Sequence, residues 1–446
     1  MAIFSEHSYT APHPENRVRH MTTNTAAAVR PVRAHDTEWS RWRGAMDLSG
    51  RAFDQLTTRA HEWHRAISDL PFSGLQHVPG LREGAAPTRL IHDSITDGVY
   101  AAVRLSGAAL FGGITQAMKA IERSALAPQT LTTRSVNGTR LVSAISGLVG
   151  DDMATRRNPL TPRLGFYRDN ARLVLSPDAL SSAFPQATSK LVVFVHGLCC
   201  DEHVWSMYRD QAPASAPDYA SCFAARGYTP LFLRYNSGLH ISQNGRGFSR
   251  VLERLVANWP IPVTEIVLVG HSMGGLVARA AAHSGALHEA QWVRHVTRVF
   301  CIGTPHLGAP LEQVVNIGVE KMERYALTRP LARILKIRSA GIKDLRHGAT
   351  HDRDWRGRDL NALGEATREQ IGRIAGARYH FIGSTLGSAL DDHLSRTIGD
   401  GLVNFPSSVA HELADADSAT LTRLHHVRLV NHPLVREWIE QRLQAA

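Results

Sequence analysis

The stretch from residue 161 to 446 predicts an α/β fold: a mostly parallel sheet with helices on both faces. Three observations carry that expectation. Apolar β-rich runs recur at Leu191–Val195, Pro230–Tyr235, Glu265–Val269, Val296–Ile302 and Tyr379–Ile382. Helical patterns separate most of them, the alternation that builds parallel sheets with right-handed crossovers. One junction, Gly270-His271-Ser272-Met273-Gly274-Gly275, joins a strand pattern to the helix-forming run Leu276–Ala282 through a G-x-S-x-G turn.

The elements follow in order. Leu164–Tyr167 and Leu173–Leu175 flank Asp169-Asn170, a hairpin signal. Leu191–Val195 is continuously apolar, as a strand buried on both faces must be. Asp218–Arg226 reads as a helix stopped at Gly227, and Pro230–Tyr235 as the next strand. Val251, Leu252, Leu255 and Val256 mark a helix ending near Pro260. The serine turn and its helix come next, then the strands at Val296–Ile302 and Tyr379–Ile382. Leu421–Leu424 alternates as a short strand would, and Pro433 opens a last helix. Between Pro310 and Gly376 the alternation breaks. This segment reads as a helical, lid-like insertion over the strand ends.

The N-terminal part is different. Residues 1–35 are polar and unpatterned and read as a disordered tail. Residues 36–160 read as a helical region. Phe53, Leu56, Trp63 and Ile67 recur at helical spacing, a Pro/Gly-rich loop is expected from Pro71 to Pro87, and Ser94–Asp97 resembles a capping box opening a second helix. Gly107, Gly112 and Gly113 are expected to interrupt or kink that helix. Leu141, Ile145, Leu148 and Val149 suggest a third. Its apolar stripes are packing faces or a lipid-facing cover for the site; no chemistry is visible in them.

The 446 residues carry a net charge of +10 and four cysteines. Cys199 and Cys200 are adjacent, which is no disulfide framework. With no basic and apolar leader at the start and no clean membrane span, the expectation is a cytoplasmic protein. Its basic surface would be attracted weakly to anionic membrane, and no nucleic-acid module is visible.

The chemistry centres on Ser272. A serine hydroxyl is a weak nucleophile and needs a base, itself oriented by a carboxylate. The G-x-S-x-G turn holds its serine in a strained conformation that small neighbours permit, so Gly270 and Gly274 fit the role. The usual chain order is serine, acid, histidine. Asp400, between two glycines and downstream of a strand, is the expected acid; Asp391, Asp392 and Asp354 are alternatives. His426 is the expected base, with His425 and His432 as alternatives. The oxyanion donors are expected from the backbone N–H groups of Met273 and Leu198. His196 and His271 read as structural. Asp201-Glu202-His203 and His351–Asp354 mix metal-ligand types without zinc spacing. Neither a metal nor a cofactor is expected.

His196-Gly197, Tyr235-Asn236, Gly270–Gly275, Gly303-Thr304-Pro305-His306-Leu307-Gly308-Ala309-Pro310 and Gly399-Asp400-Gly401 together resemble the α/β-hydrolase superfamily. Within it, the chain is similar to bacterial lipase-type esterases related to the GPI inositol-deacylase-like group, over residues 189–443. The resemblance implies hydrolysis of esters with apolar, lipid-like acyl groups. A thioesterase, an acyltransferase or a polyester depolymerase could use the same residues, and a lipid-surface scaffold without turnover is the alternative of another class.

Overall fold

The computed structural model describes residues 38–75, 82–123, 135–208, 217–308, 339–357, 371–387, 400, 403, 407 and 417–444. The expected N-terminal tail therefore lies outside the described residues, as does most of the insertion between Pro310 and Gly376.

Eight strands form one sheet: β1 Gly165–Arg168, β2 Ala171–Arg172, β3 Lys190–Val195, β4 Tyr228–Arg234, β5 Glu265–His271, β6 Val296–Ile302, β7 Arg378–Thr385 and β8 Asp417–Thr422. Their spatial order is β2-β1-β4-β3-β5-β6-β7-β8. Six strands, β3 to β8, run parallel, and the β1–β2 hairpin adds an antiparallel edge. The hairpin turns at Asp169 and Asn170, both at positive φ, the geometry a two-residue turn demands.

Alternation along the central strands feeds two cores. Leu191, Val193 and Val195 of β3 join Ile266 and Leu268 of β5 on one face. Val192 and Phe194 join Val267 and Val269 on the other. Helices α6 (Ile241–Asn258) and α7 (Met273–Leu287) cover the first face. They pack closely because Gly245 leaves no side chain where Ala280 sits. Helix α5 (Tyr219–Ala224) and the final helix Pro433–Gln444 cover the second. Asp218 caps α5 by accepting from the Ser221 N–H, and Gly227 follows its end at φ 79°.

The N-terminal region forms α1 (Glu38–Leu75), α2 (Arg82–Arg123) and α3 (Val136–Thr155). Three local expectations fail. Helix α1 runs to Leu75 and α2 starts at Arg82, so the Pro/Gly-rich loop is far shorter than predicted. Ser94 caps nothing: it lies inside α2 and its hydroxyl donates to the Leu90 carbonyl one turn back. Helix α2 also runs unbroken through Gly107, Gly112 and Gly113. Packing overrides local propensity here, because the Phe53 ring of α1 occupies the space above Gly107 and Gly50 accepts Phe111. The break in this region lies in α3, at Val149, whose φ is −136°.

Candidate active site

Strand β5 ends at His271, and α7 begins at Met273. Between them Ser272 has φ 54° and ψ −126°, a strained conformation for a residue with a side chain. Two hydrogen-bonded contacts hold it: its N–H donates to the Ile302 carbonyl at 2.8 Å, and the Gly275 N–H donates to its carbonyl at 3.1 Å. The glycines around it are sterically required. A Cβ at Gly270 would sit 2.5 Å from the Gly275 nitrogen, and one at Gly274 would collide with the Val195 and His196 carbonyls.

Asp400 and His426 are brought together as the sequence order predicts. Asp400 Oδ2 lies 2.7 Å from His426 Nδ1. Its other oxygen accepts the Val403 N–H at 2.8 Å, and its carbonyl accepts the His426 N–H at 3.1 Å. Both residues are buried. This grip orients the imidazole and assigns Nδ1 as the donor, leaving Nε2 for a substrate-side proton. The chain reaches His426 from β8 through Arg423 at φ 58°, and the Leu424 N–H bonds to the Thr385 carbonyl.

Ser272 and His426 each border a glycine in the loops at the strand ends. A Cβ on Gly197 would lie 3.1 Å from Ser272 Cβ, and one on Gly303 would lie 3.1 Å from His426 Cε1. Gly303 follows β6 directly, next to the carbonyl that holds Ser272. Among the described residues, no hydrogen bond joins Ser272 Oγ to His426. In the absence of substrate such a bond is often long and tightens on binding.

Leu198 stands in the loop after β3 and follows Gly197, which borders Ser272. The next amides are spent: the Cys199 N–H donates to Ser237 Oγ at 3.1 Å, and the Cys200 N–H to the Gly197 carbonyl. Among the described residues the Leu198 N–H has no acceptor. Met273, as the first residue of α7, has no carbonyl one turn back to receive its own N–H. These two amides are the donors available for an oxyanion. Ser237 was not foreseen; a lone serine after a strand carries no sequence signal, and only the fold shows that it pins this loop.

The remaining histidines have structural places. His196 stacks on Tyr235 at 4.2 Å, and the Tyr235 hydroxyl donates to the His196 carbonyl at 2.7 Å. His271 is buried beneath the turn, 5.0 Å from the His426 ring, and burial pushes its pKa down to about 3. It therefore stays neutral. His425 is exposed, and the His432 carbonyl accepts the Arg436 N–H in the first turn of the last helix. Asp354 accepts the Thr350 and His351 N–H groups as a helix cap. Asp391 and Asp392 lie outside the described residues.

Two further features surround the site. Arg279 of α7 donates to His306 Nδ1 at 2.7 Å, and Ser407 bonds to both Leu307 and Gly308, bracing the Gly303–Gly308 segment. From the insertion, the helix Ala340–His347 lies against the same strand ends: Gly341 abuts the Ser237 carbonyl and Met273. Asp201, Glu202 and His203 cluster just after that loop in sequence. The Glu202 carboxylate is committed to Arg234 and Asp201 Oδ1 to His203, so the set is a poor fit for a cation. A cavity of about 780 Å³ at the sheet edge, lined by Tyr167, Arg168, Asn170, His203 and Phe232, includes none of the site residues.

Residues 250–359 match the model of the PGAP1-like alpha/beta domain family. No curated protein matches the chain. Among solved structures it is similar to the mature form of Bacillus licheniformis lipase BlEst2, at 18% identity over 58% of this chain and 93% of that one, with a TM-score of 0.38. The propeptide form of BlEst2 gives 19% identity, 58% and 51% coverage and a TM-score of 0.40. Phospholipase PlaB from Legionella pneumophila gives 14%, 58%, 60% and 0.38. The strand order and the serine turn between β5 and α7 are those of an α/β-hydrolase fold, and the family match over residues 250–359 includes that turn.

Proposed function

We propose that this chain hydrolyses carboxylic esters with apolar, lipid-like acyl groups through an acyl-enzyme on Ser272. The observation that carries the reading is a buried serine in a strained strand-to-helix turn together with a histidine held by a buried carboxylate. Ser272 Oγ attacks the acyl carbonyl carbon as His426 Nε2 takes its proton. The tetrahedral oxyanion is held by the Leu198 and Met273 N–H groups. His426 then gives the proton to the departing alkoxide, and the acyl group stays on Ser272. Water, deprotonated by the same nitrogen, releases the acid and restores the serine. Asp400 keeps Nδ1 protonated throughout and stabilises the imidazolium that forms.

No metal or cofactor is called for in this sequence of steps. The four cysteines are free thiols, which supports a reducing, cytoplasmic location as part of the same proposal. The test is labelling with a fluorophosphonate probe beside turnover of p-nitrophenyl esters of short to long acyl chain. The wild type should label and hydrolyse; Ser272→Ala should do neither while remaining folded. A protein that binds lipid without turning it over would not label, and an undiminished Ser272→Ala variant would overturn the assignment.

A further inference from the structure

The N-terminal helices divide into two units. Helices α1 and α2 pair as a long antiparallel hairpin, through the Phe53–Phe111 ring contact at 5.8 Å and the Arg43–Glu122 ion pair at 2.9 Å. Helix α3 packs instead on the loops that follow β3 and β4, and its face is unlike that of an ordinary surface helix. Its buried residues include Thr139, Ser143, Ser146, Gly147 and Gly150, whereas Leu141 and Leu148 are exposed. Such a face gives up apolar burial for close approach of one backbone to another.

A Cβ at Gly147 would collide with Cys199, one at Gly150 with the Asn236 side chain, and one at Gly238 with the Ser146 carbonyl. Asn236 is central to this contact. Its Oδ1 accepts the Ser146 hydroxyl at 2.8 Å and the Gly238 N–H at 3.0 Å. Its Nδ2 donates to the Gly150 carbonyl at 2.8 Å, and its own carbonyl accepts from Asn244 Nδ2 at 2.9 Å. The partners fix which way the amide points, because the Gly238 N–H needs an acceptor and the Gly150 carbonyl a donor. Helix α3 breaks at Val149, and carbonyls on either side of the break accept from outside the helix: Gly147 from Ser339 Oγ at 2.6 Å and Gly150 from Asn236. Ser146, Asn236 and Ser237 are all buried.

Ser237, the next residue, carries this fixation to the site by accepting the Cys199 N–H. Cys199 has φ 59°, a left-handed conformation that a residue with a side chain keeps only where its surroundings enforce it. Here Ser237 holds its N–H and Gly147 of α3 backs its Cα. On the other side of Leu198, the Tyr235 hydroxyl holds the His196 carbonyl. The Gly197–Leu198 peptide, which bears the Leu198 N–H, thus lies between two fixed peptides. We infer that Asn236 is a positioning residue for ester hydrolysis: α3 holds Asn236, Asn236 sets Ser237, and Ser237 fixes the loop so that the Leu198 N–H meets the oxyanion. Through α3 the N-terminal region takes part in turnover without touching substrate. The inference rests on the hydrolase reading proposed above.

Turnover per titrated site separates positioning from folding. In the full chain, fluorophosphonate titration counts competent serines, and an alkyl trifluoromethyl ketone reports affinity for the oxyanion. Asn236→Ala and Ser146→Ala should titrate to the wild-type number of sites while kcat per site falls. Since losing a whole oxyanion donor costs about 100–1000-fold, a displaced one should cost about tenfold in Asn236→Ala and roughly threefold in Ser146→Ala. KM for a short p-nitrophenyl ester and the pH profile of kcat/KM should stay in place, because Asp400 and His426 are untouched. The ketone should lose affinity by the same factor as kcat/KM. Ser146→Ala with Asn236→Ala should be no slower than Asn236→Ala alone, because the two side chains act as one unit. A purely structural role would lower the number of titrated sites and leave kcat per site and ketone affinity unchanged, and that result would overturn the inference. If Asn236→Ala does not fold, Ser146→Ala decides alone, and full kcat per site in it overturns the inference. A wild type that neither labels nor turns over would strike the hydrolase reading itself; an active wild type beside fully active variants would strike only the role of Asn236.

Discussion

The hydrolase core and the N-terminal hairpin use the same residue types in opposite ways. Val193, Phe194 and Leu268 are wholly buried in the sheet, whereas Leu105 and Leu56 of the hairpin are 71% and 65% exposed. The sheet buries apolar side chains on two faces, and its spare geometry goes into one strained turn. The hairpin buries one face and leaves apolar side chains exposed on the others. Apolar patterning therefore identifies a face; only burial shows whether that face is already satisfied.

The sharpest way to break this contrast is at the nucleophile. Ser272→Ala should remove ester hydrolysis and fluorophosphonate labelling completely, with thermal unfolding unchanged. A stable variant that still turns over would mean that the chemistry lies elsewhere. Asp400→Asn should come next. It would leave His426 in the wrong tautomer, and kcat should fall on the order of 10⁴-fold, as in other serine triads, with circular dichroism unaltered. A loss of less than tenfold would reduce Asp400 to a loop-forming residue.

Stability measurements sharpen the comparison further. Phe194→Ala should cost about 3–5 kcal/mol in denaturant unfolding, because it empties a site packed by Trp205, Phe223 and Phe232. His271 gives a pH signature. Its pKa in the fold is about 3 against an ordinary 6.5, so the unfolded chain binds a proton that the native chain excludes. Its contribution is whole above pH 6.5 and is lost as pH falls toward 3, with a limiting slope of about 1.4 kcal/mol per pH unit. His271→Gln should flatten the acid side of the stability curve; an unchanged slope would place the acid sensitivity in other groups. The smallest effect belongs to the hairpin. Leu105→Ser and Leu56→Ser should change stability in aqueous buffer by no more than about 0.5 kcal/mol. A larger loss would show that those side chains are packed in solution.

The parallel strands were legible because β3, β5 and β6 must be apolar on both faces, a pattern that surface elements do not imitate. Ser272 was legible for a related reason: only small residues fit around its turn, so the constraint is written locally as Gly270, Gly274 and Gly275. The N-terminal helices were less so. Their extent depends on Phe53 filling the gap at Gly107 and on Phe111 over Gly50, contacts between residues far apart in sequence. Local rules therefore placed the loop and the capping box wrongly.

By itself the sequence determined the fold class and the serine turn, since each follows from side-chain size or alternation. The tertiary structure decided which carboxylate and which histidine meet: Asp400 and His426 lie 26 residues apart and are joined only where β7 and β8 end side by side. It also decided that Ser237 pins the loop after β3 and that the hairpin leaves apolar side chains exposed. Such facts depend on distances between elements that pair and pack only after the chain has folded, and no spacing along the chain encodes them.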